Sequence, residues 1–203
     1  MGWSSGAVMA DTILHCFDPG SAEAEGKIIG SLLAGYGELE LEMALCLIAA
    51  TGNYDASLKA LYSVRGEEKR IKKADRMMKV QYVNAKLAID YKQTISDMQW
   101  CRKIRNQYAH CQWYYTPVDG LCFVDLEAAS LLSIQIANIE NHKVRADIQL
   151  LQHQMDFFVY VRKRFWYLAE ACQRYIATQK PGARPSSSID AIPLTVVRPP
   201  LHN

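Results

Sequence analysis

The sequence predicts an all-α bundle that carries one small β-hairpin after its third long helix. Three observations lead there. Apolar residues recur at helical spacing through most of the chain, the period shortens abruptly after His110, and both patterns fade beyond Lys180. With 203 residues, half of them hydrophobic, the chain can bury one substantial core but not two large ones. The expected organisation is therefore an N-terminal segment over 1–20, a helical domain over 21–179 and a Pro/Ser-rich flexible tail over 180–203.

Asp18-Pro19-Gly20 closes the first segment as a turn, and Ser21 is placed to cap a helix running to Ala50. At about 100° per residue, Ile29, Leu32, Leu33, Leu39, Met43 and Leu47 share the face of Tyr36. Glu40 falls in the middle of that face and needs a partner, whereas Glu38 and Glu42 point the opposite way, to solvent or a second subunit. Gly52-Asn53 ends the helix. A second helical region spans Ala56 to about Lys79, interrupted at Gly66. It holds a basic run of Arg65, Lys69, Arg70, Lys72, Lys73, Arg76 and Lys79, offset by Glu67, Glu68 and Asp75.

The third long helix is expected from about Tyr82 to His110, with Leu87, Tyr91, Ile95, Met98, Cys101 and Ile104 in period. Gln112–Thr116 and Leu121–Val124 then read as β-prone runs joined by Pro117-Val118-Asp119-Gly120, a hairpin. A last helical region covers roughly Ala128 to Gln179, with a break near Asn138–His142 and its strongest part from Ile148. Arg162, Lys163 and Arg164 interrupt its aromatics, as in a helix packed on one side and wet on the other. In the tail, the short apolar piece Ile192–Val197 is placed to dock on a neighbour.

Composition excludes several functions. The net charge of +2 means that any affinity for nucleic acid must come from local basic patches. Six cysteines are scattered without a CxxC pair, and His15, Cys16, Cys101, His110 and Cys111 match no common zinc spacing, so no metal or cofactor is expected. No uncharged run spans a bilayer, and the N-terminus lacks the features of a signal peptide, which points to no membrane partner and a cytoplasmic location. GxGxxG, Walker A, HExxH and GxSxG motifs are all missing.

What remains is the stretch Cys101-Arg-Lys-Ile-Arg-Asn-Gln-Tyr-Ala-His-Cys111. Arg102, Asn106 and His110 succeed one another at four-residue steps, so they stack along one helix face, with Arg105 beside them. Ala109 leaves room for a ligand or another backbone. Asn106 is placed to hold the imidazole in one tautomer. A guanidinium beside an imidazole suits phosphodiester cleavage: the histidine moves a proton while the arginine steadies charge on phosphorus. Basic residues Arg65, Lys69, Lys72, Lys73 and Arg76 could contact phosphates, and Trp113 and Tyr114 could stack on bases. The structural alternative is equally open. Arg105 would pair with Glu40, His110 would cap the helix C-terminus, and the basic run would be a solvated face.

Arg105-Asn106-Gln107-Tyr108-Ala109-His110 resembles the Arg-polar-x(3–5)-His signature of the HEPN superfamily, in its RNxxAH variety. The helical order, the aromatic hairpin after the motif and the glutamate in the first helix resemble that group too, over about residues 22 to 179. The resemblance implies a bundle of four or five helices that dimerises, with two motifs facing one cleft. It implies a metal-independent endoribonuclease of the toxin–antitoxin or antiviral-defence kind, acting on RNA and open to an antitoxin or other protein partner. His110 would be general base or acid, Arg105 would bind the scissile phosphate, and Asn106 would orient His110. Other HEPN domains are catalytically silent modules that bind RNA, a nucleotide or a protein.

Overall fold

A computed structural model describes residues 22–116, 118–132, 139, 141–179 and 191–202. The described residues are mostly helical, with a small antiparallel sheet, in the predicted order. Helix α1 covers Glu23–Thr51, α2 Tyr54–Tyr62, α3 Glu67–Asn84 and α4 Ala88–Ala109. Strands β1 (Cys111–Thr116) and β2 (Gly120–Asp125) follow, then α5 (Leu126–Leu131), β3 (Val144–Arg145) and α6 (Ile148–Thr178).

The boundaries have local causes. Gly52 takes a left-handed φ of 69° and returns its N–H to Ile48 O, closing α1. Asn53 then accepts the Ala56 N–H to start α2, while Gly66, at φ 87°, precedes α3. The expected cap Ser21 lies outside the described residues. One boundary differs from expectation. The helix expected from Tyr82 to His110 is broken between Asn84 and Ala88, where Lys86 adopts a φ of 61° without a glycine to announce it. The last helical region is divided, and its long part starts at Ile148, as the sequence suggested. Asp125 caps α5, β3 intervenes, and α6 begins only after Asp147, whose carboxylate accepts the N–H groups of Gln149 and Leu150.

α1 buries the predicted face: Ile29, Leu32, Tyr36, Leu39, Met43 and Leu47 are all buried, and each large side chain of this kind contributes about 1.5–3 kcal/mol of transfer energy. Tyr36 in that face lies under Arg105 of α4, while the adjacent flank of α1 packs along α6, which runs in the same direction as α1. Glu38 meets Arg162 at 2.8 Å, and Cys46 Sγ meets Phe165 O at 3.2 Å further along. α3 and α4 are antiparallel: the Tyr82 and Tyr91 rings stack at 4.8 Å at one end, and Glu67 meets Arg105 at the other. α4 is also antiparallel to α6, through Tyr108–Gln154 and Thr94–Arg164 contacts. Arg164 does not lie on a wet face, contrary to expectation. It is 3% exposed and donates to Thr94 Oγ1 and to the carbonyl and carboxylate of Asp90.

The predicted hairpin is present, paired from Cys111–Asp125 to Thr116–Gly120, with Gly120 at φ 72°. Its strand β2 is central, because the unforeseen β3 pairs along its other edge, Val144 opposite Phe123. The sheet hangs directly from the end of α4. His110 O accepts the Leu126 N–H at 3.0 Å, so the backbone at the motif is pinned to the point where β2 becomes α5.

Residues 191–202 do not form the loose tail that composition suggested. Leu194 and Val197 of the expected docking piece stand in solvent, at 89% and 79% exposure. Val196 of the same piece packs on the core, as does Leu201 beyond it, and Pro199 and His202 are buried.

Candidate functional site

Where the N-terminus of α3 meets the C-terminal turns of α4, the surface opens into a cleft of about 740 Å³. α4 contributes Arg102, Arg105, Asn106 and His110, so the predicted polar stripe lines one wall. The opposite wall comes from the α2–α3 turn and the start of α3, with Arg65, Lys69, Arg70 and Lys72 from the basic run, together with Glu67 and Glu68. Six cations against two carboxylates give the cleft a positive balance, although the chain as a whole is nearly neutral. Lys73 and Arg76 of the same run do not line it.

The ion pairs differ from those expected. Glu40 does not meet Arg105. It takes a bidentate pair from Arg70, Nε to Oε1 at 2.9 Å and Nη2 to Oε2 at 3.2 Å, and this hydrogen bonding raises the Arg70 pKa. Arg105 pairs instead with Glu67, Nη1 to Oε1 at 3.0 Å, and Arg102 approaches Glu68 at 3.4 Å. Glu68 also accepts from Lys72, and the two cations hold its carboxyl below the usual range, Lys72 more strongly. The same Arg105 Nη1 donates to Asn106 Oδ1 at 3.1 Å, so the amide braces the arginine and not the histidine. Nε and Nη2 of Arg105 have no hydrogen-bond partner among the described residues, which leaves one edge of the fork for an oxyanion.

His110 ends α4 at φ −120°, and its exposed ring lines the cleft without a hydrogen bond from a described residue. Half-buried Ala109 keeps the approach to it low. Below the stripe lies Tyr36. Its ring centroid is 5.8 Å from the Arg105 guanidinium carbon, and its buried hydroxyl has no hydrogen-bond partner among the described residues. Burial, then the charges of Glu40 and Glu67, push the pKa of that hydroxyl up. The Tyr36 hydroxyl is thus a neutral group beneath two ion pairs.

The aromatic residues expected to stack on bases lie elsewhere. Trp113 is half-buried, stacked on Tyr108 at 6.2 Å and tilted against Phe123. Tyr114 is buried among Cys122, Val124 and Ala129. Neither lines the cleft. The sequence reading missed Glu67, Glu68 and Tyr36 as members of the site. The signal was present for the glutamates: they open a helix antiparallel to α4, so they must face its last turns.

Comparison of the chain with protein-family models, with curated proteins and with solved structures gives no match.

Proposed function

We propose that this chain is a metal-independent endoribonuclease of HEPN type, working as a homodimer in the cytoplasm as a toxin or antiviral effector. One observation carries the reading. Arg105 and His110, one with an open guanidinium edge and one with an uncommitted ring, line the same positively balanced cleft. Arg65 and Lys69 have no carboxylate partner among the described residues and stand ready on the other wall for the backbone of a polyanion. No helix among the described residues is long and apolar enough to cross a membrane.

In this mechanism Arg105 binds a non-bridging oxygen of the scissile phosphate. His110 removes the proton of the neighbouring ribose 2′-hydroxyl, the 2′-oxygen attacks phosphorus, and the 5′-oxygen leaves with a proton from the second protomer's histidine. The products are a 2′,3′-cyclic phosphate and a 5′-hydroxyl. The second histidine is needed because one imidazole cannot act as base and acid in a single in-line step.

The test is RNA cleavage by the purified chain in EDTA, beside His110→Ala and Arg105→Ala. Cutting that survives chelation and disappears in both variants is the expected result; full activity in His110→Ala sinks the mechanism. A second reading has its own support. Asn106 is committed to Arg105, and Arg105 to Glu67, the pattern of a braced surface rather than a poised base. On that reading the chain is a silent HEPN-like module that binds RNA, a nucleotide or a protein partner such as an antitoxin, and all three proteins leave RNA intact.

A further inference from the structure

The back of the motif helix carries a second built surface. Residues 198–202, Arg-Pro-Pro-Leu-His, lie in a groove between α4 and α6 and are read almost entirely by side chains. Trp100 Nε1 donates to Pro199 O at 2.9 Å, and Gln154 Nε2 donates to Pro200 O at 2.9 Å. Gln107 takes both backbone groups of His202, its Nε2 donating to the carbonyl at 2.8 Å and its Oε1 accepting the N–H at 3.1 Å. Arg198 donates to Asp97 at 2.8 Å and to Ser96 at 2.7 Å, with its guanidinium carbon 6.0 Å from the Trp100 ring centroid.

The His202 ring is held at both nitrogens. Nε2 accepts the Asp147 N–H at 3.0 Å, so in the neutral ring the proton is on Nδ1, which meets Tyr108 Oη at 2.8 Å. The Tyr108 hydroxyl in turn donates to Gln154 Oε1 at 2.5 Å. Burial of the imidazole lowers its pKa, against the opposing charge of Asp147.

Four features make this segment resemble a bound peptide more than a piece of the core. The paired prolines fix φ and push Arg198 and Pro199 toward extended backbone, which lowers the entropy lost on docking. A tryptophan N–H on a proline carbonyl, with an acidic residue taking a neighbouring arginine, is the chemistry of polyproline recognition. Asp97 is 1% exposed and shares its Oδ1 between Gln93 and Arg198, so an empty groove would leave a buried carboxylate short of its cation. The stretch joining α6 to the segment, Lys180 to Asp190, contains Pro181, Gly182, Pro185 and Ser186–Ser188, the composition of a linker.

We propose that the α4–α6 groove is a docking site for a proline-rich peptide of the form Arg-Pro-Pro-x-His. Residues 198–202 are its occupant in cis, replaceable by the same sequence on another polypeptide. The site is separate from the cleft, although Gln107 and Tyr108 interleave with Arg105, Asn106 and His110 at the end of α4. Its test involves no RNA, so the two proposals fail independently.

The probe is a fluorescein-labelled synthetic peptide of residues 195–203, titrated into the full chain and followed by anisotropy. A tethered occupant competes at an effective concentration of roughly millimolar, so the unmodified chain binds the probe weakly. Arg198→Ala with His202→Ala in the full chain weakens the resident segment and is expected to tighten probe binding at least ~10-fold. Adding Asp97→Asn to that protein is expected to reverse the gain. Equal binding by the unmodified and doubly substituted chains overturns the proposal. So does loss of the helical circular dichroism signal in the doubly substituted chain, since the segment would then be core and not ligand.

Discussion

Glu67 and Arg105 meet at 3.0 Å where the start of α3 closes on the end of α4, so the arginine of the motif is partly neutralised before any ligand arrives. The side chains are 20% and 28% exposed, a setting in which an ion pair contributes less than about 1 kcal/mol to stability. Its larger consequence is for the proposed binding, because the Glu67 carboxylate repels a phosphate arriving at the open edge of Arg105.

Glu67→Gln should therefore leave the melting temperature nearly unchanged and raise affinity for a short RNA several-fold. The slope of log K against log salt should steepen by about 0.7, one further effective phosphate contact on a single strand. Fluorescence anisotropy between 50 and 200 mM salt measures both. Unchanged affinity and slope would mean that Arg105 does not touch the RNA.

Glu40 and Arg70 behave differently, since their side chains are 12% and 20% exposed and joined by two hydrogen bonds. Arg70→Ala strands a half-buried carboxylate and should cost about 1–3 kcal/mol in urea unfolding. Arg70→Ala with Glu40→Gln should recover part of that loss, as a double-mutant cycle would show.

Two tyrosines give a matched contrast. The Tyr36 hydroxyl is buried without a described partner, so Tyr36→Phe should be neutral or slightly stabilising. The Tyr108 hydroxyl joins Gln154 to His202, so Tyr108→Phe should cost about 1–3 kcal/mol. Thermal melts of the two variants side by side decide the matter.

His202 predicts a pH dependence. Its pKa is lowered in the folded chain, so above the ordinary value of 6.5 both states are neutral and its contribution to stability is complete. As pH falls below that value the unfolded chain takes up a proton that the folded one refuses. Stability should then decline by up to about 1.4 kcal/mol per pH unit until the folded pKa is passed. Urea titrations between pH 7.5 and 5 should show this slope in the unmodified chain and a shallower one in His202→Gln.

Much of the fold was legible because glycine and hydrophobic period mark it. Gly52 and Gly66 announce helix ends, and Tyr36 with Leu39, Met43 and Leu47 announces the buried face of α1. The break at Lys86 was hidden, since a lysine at positive φ leaves no mark in composition. β3 was hidden too, because two residues are too few to show a period and their pairing with Cys122 and Phe123 is purely tertiary. In the cleft, helical spacing placed Arg102, Asn106 and His110 on one face. It did not reveal Arg70 as the partner of Glu40 in place of the expected Arg105, for that depends on how α3 and α4 sit against α1. The segment at 198–202 was missed because proline-rich composition normally signals a chain that buries little. Leu201-His202 after the proline pair was the available hint.

α1 and α6 lie side by side in the same direction, although nearly the whole domain separates them along the chain. Contacts between such distant stretches close large loops, and folding that depends on them is slow. On the ribosome, the side of α1 that α6 covers must wait for the final helix to be synthesised. Until then the nascent polypeptide presents a greasy ridge, a natural handhold for a chaperone.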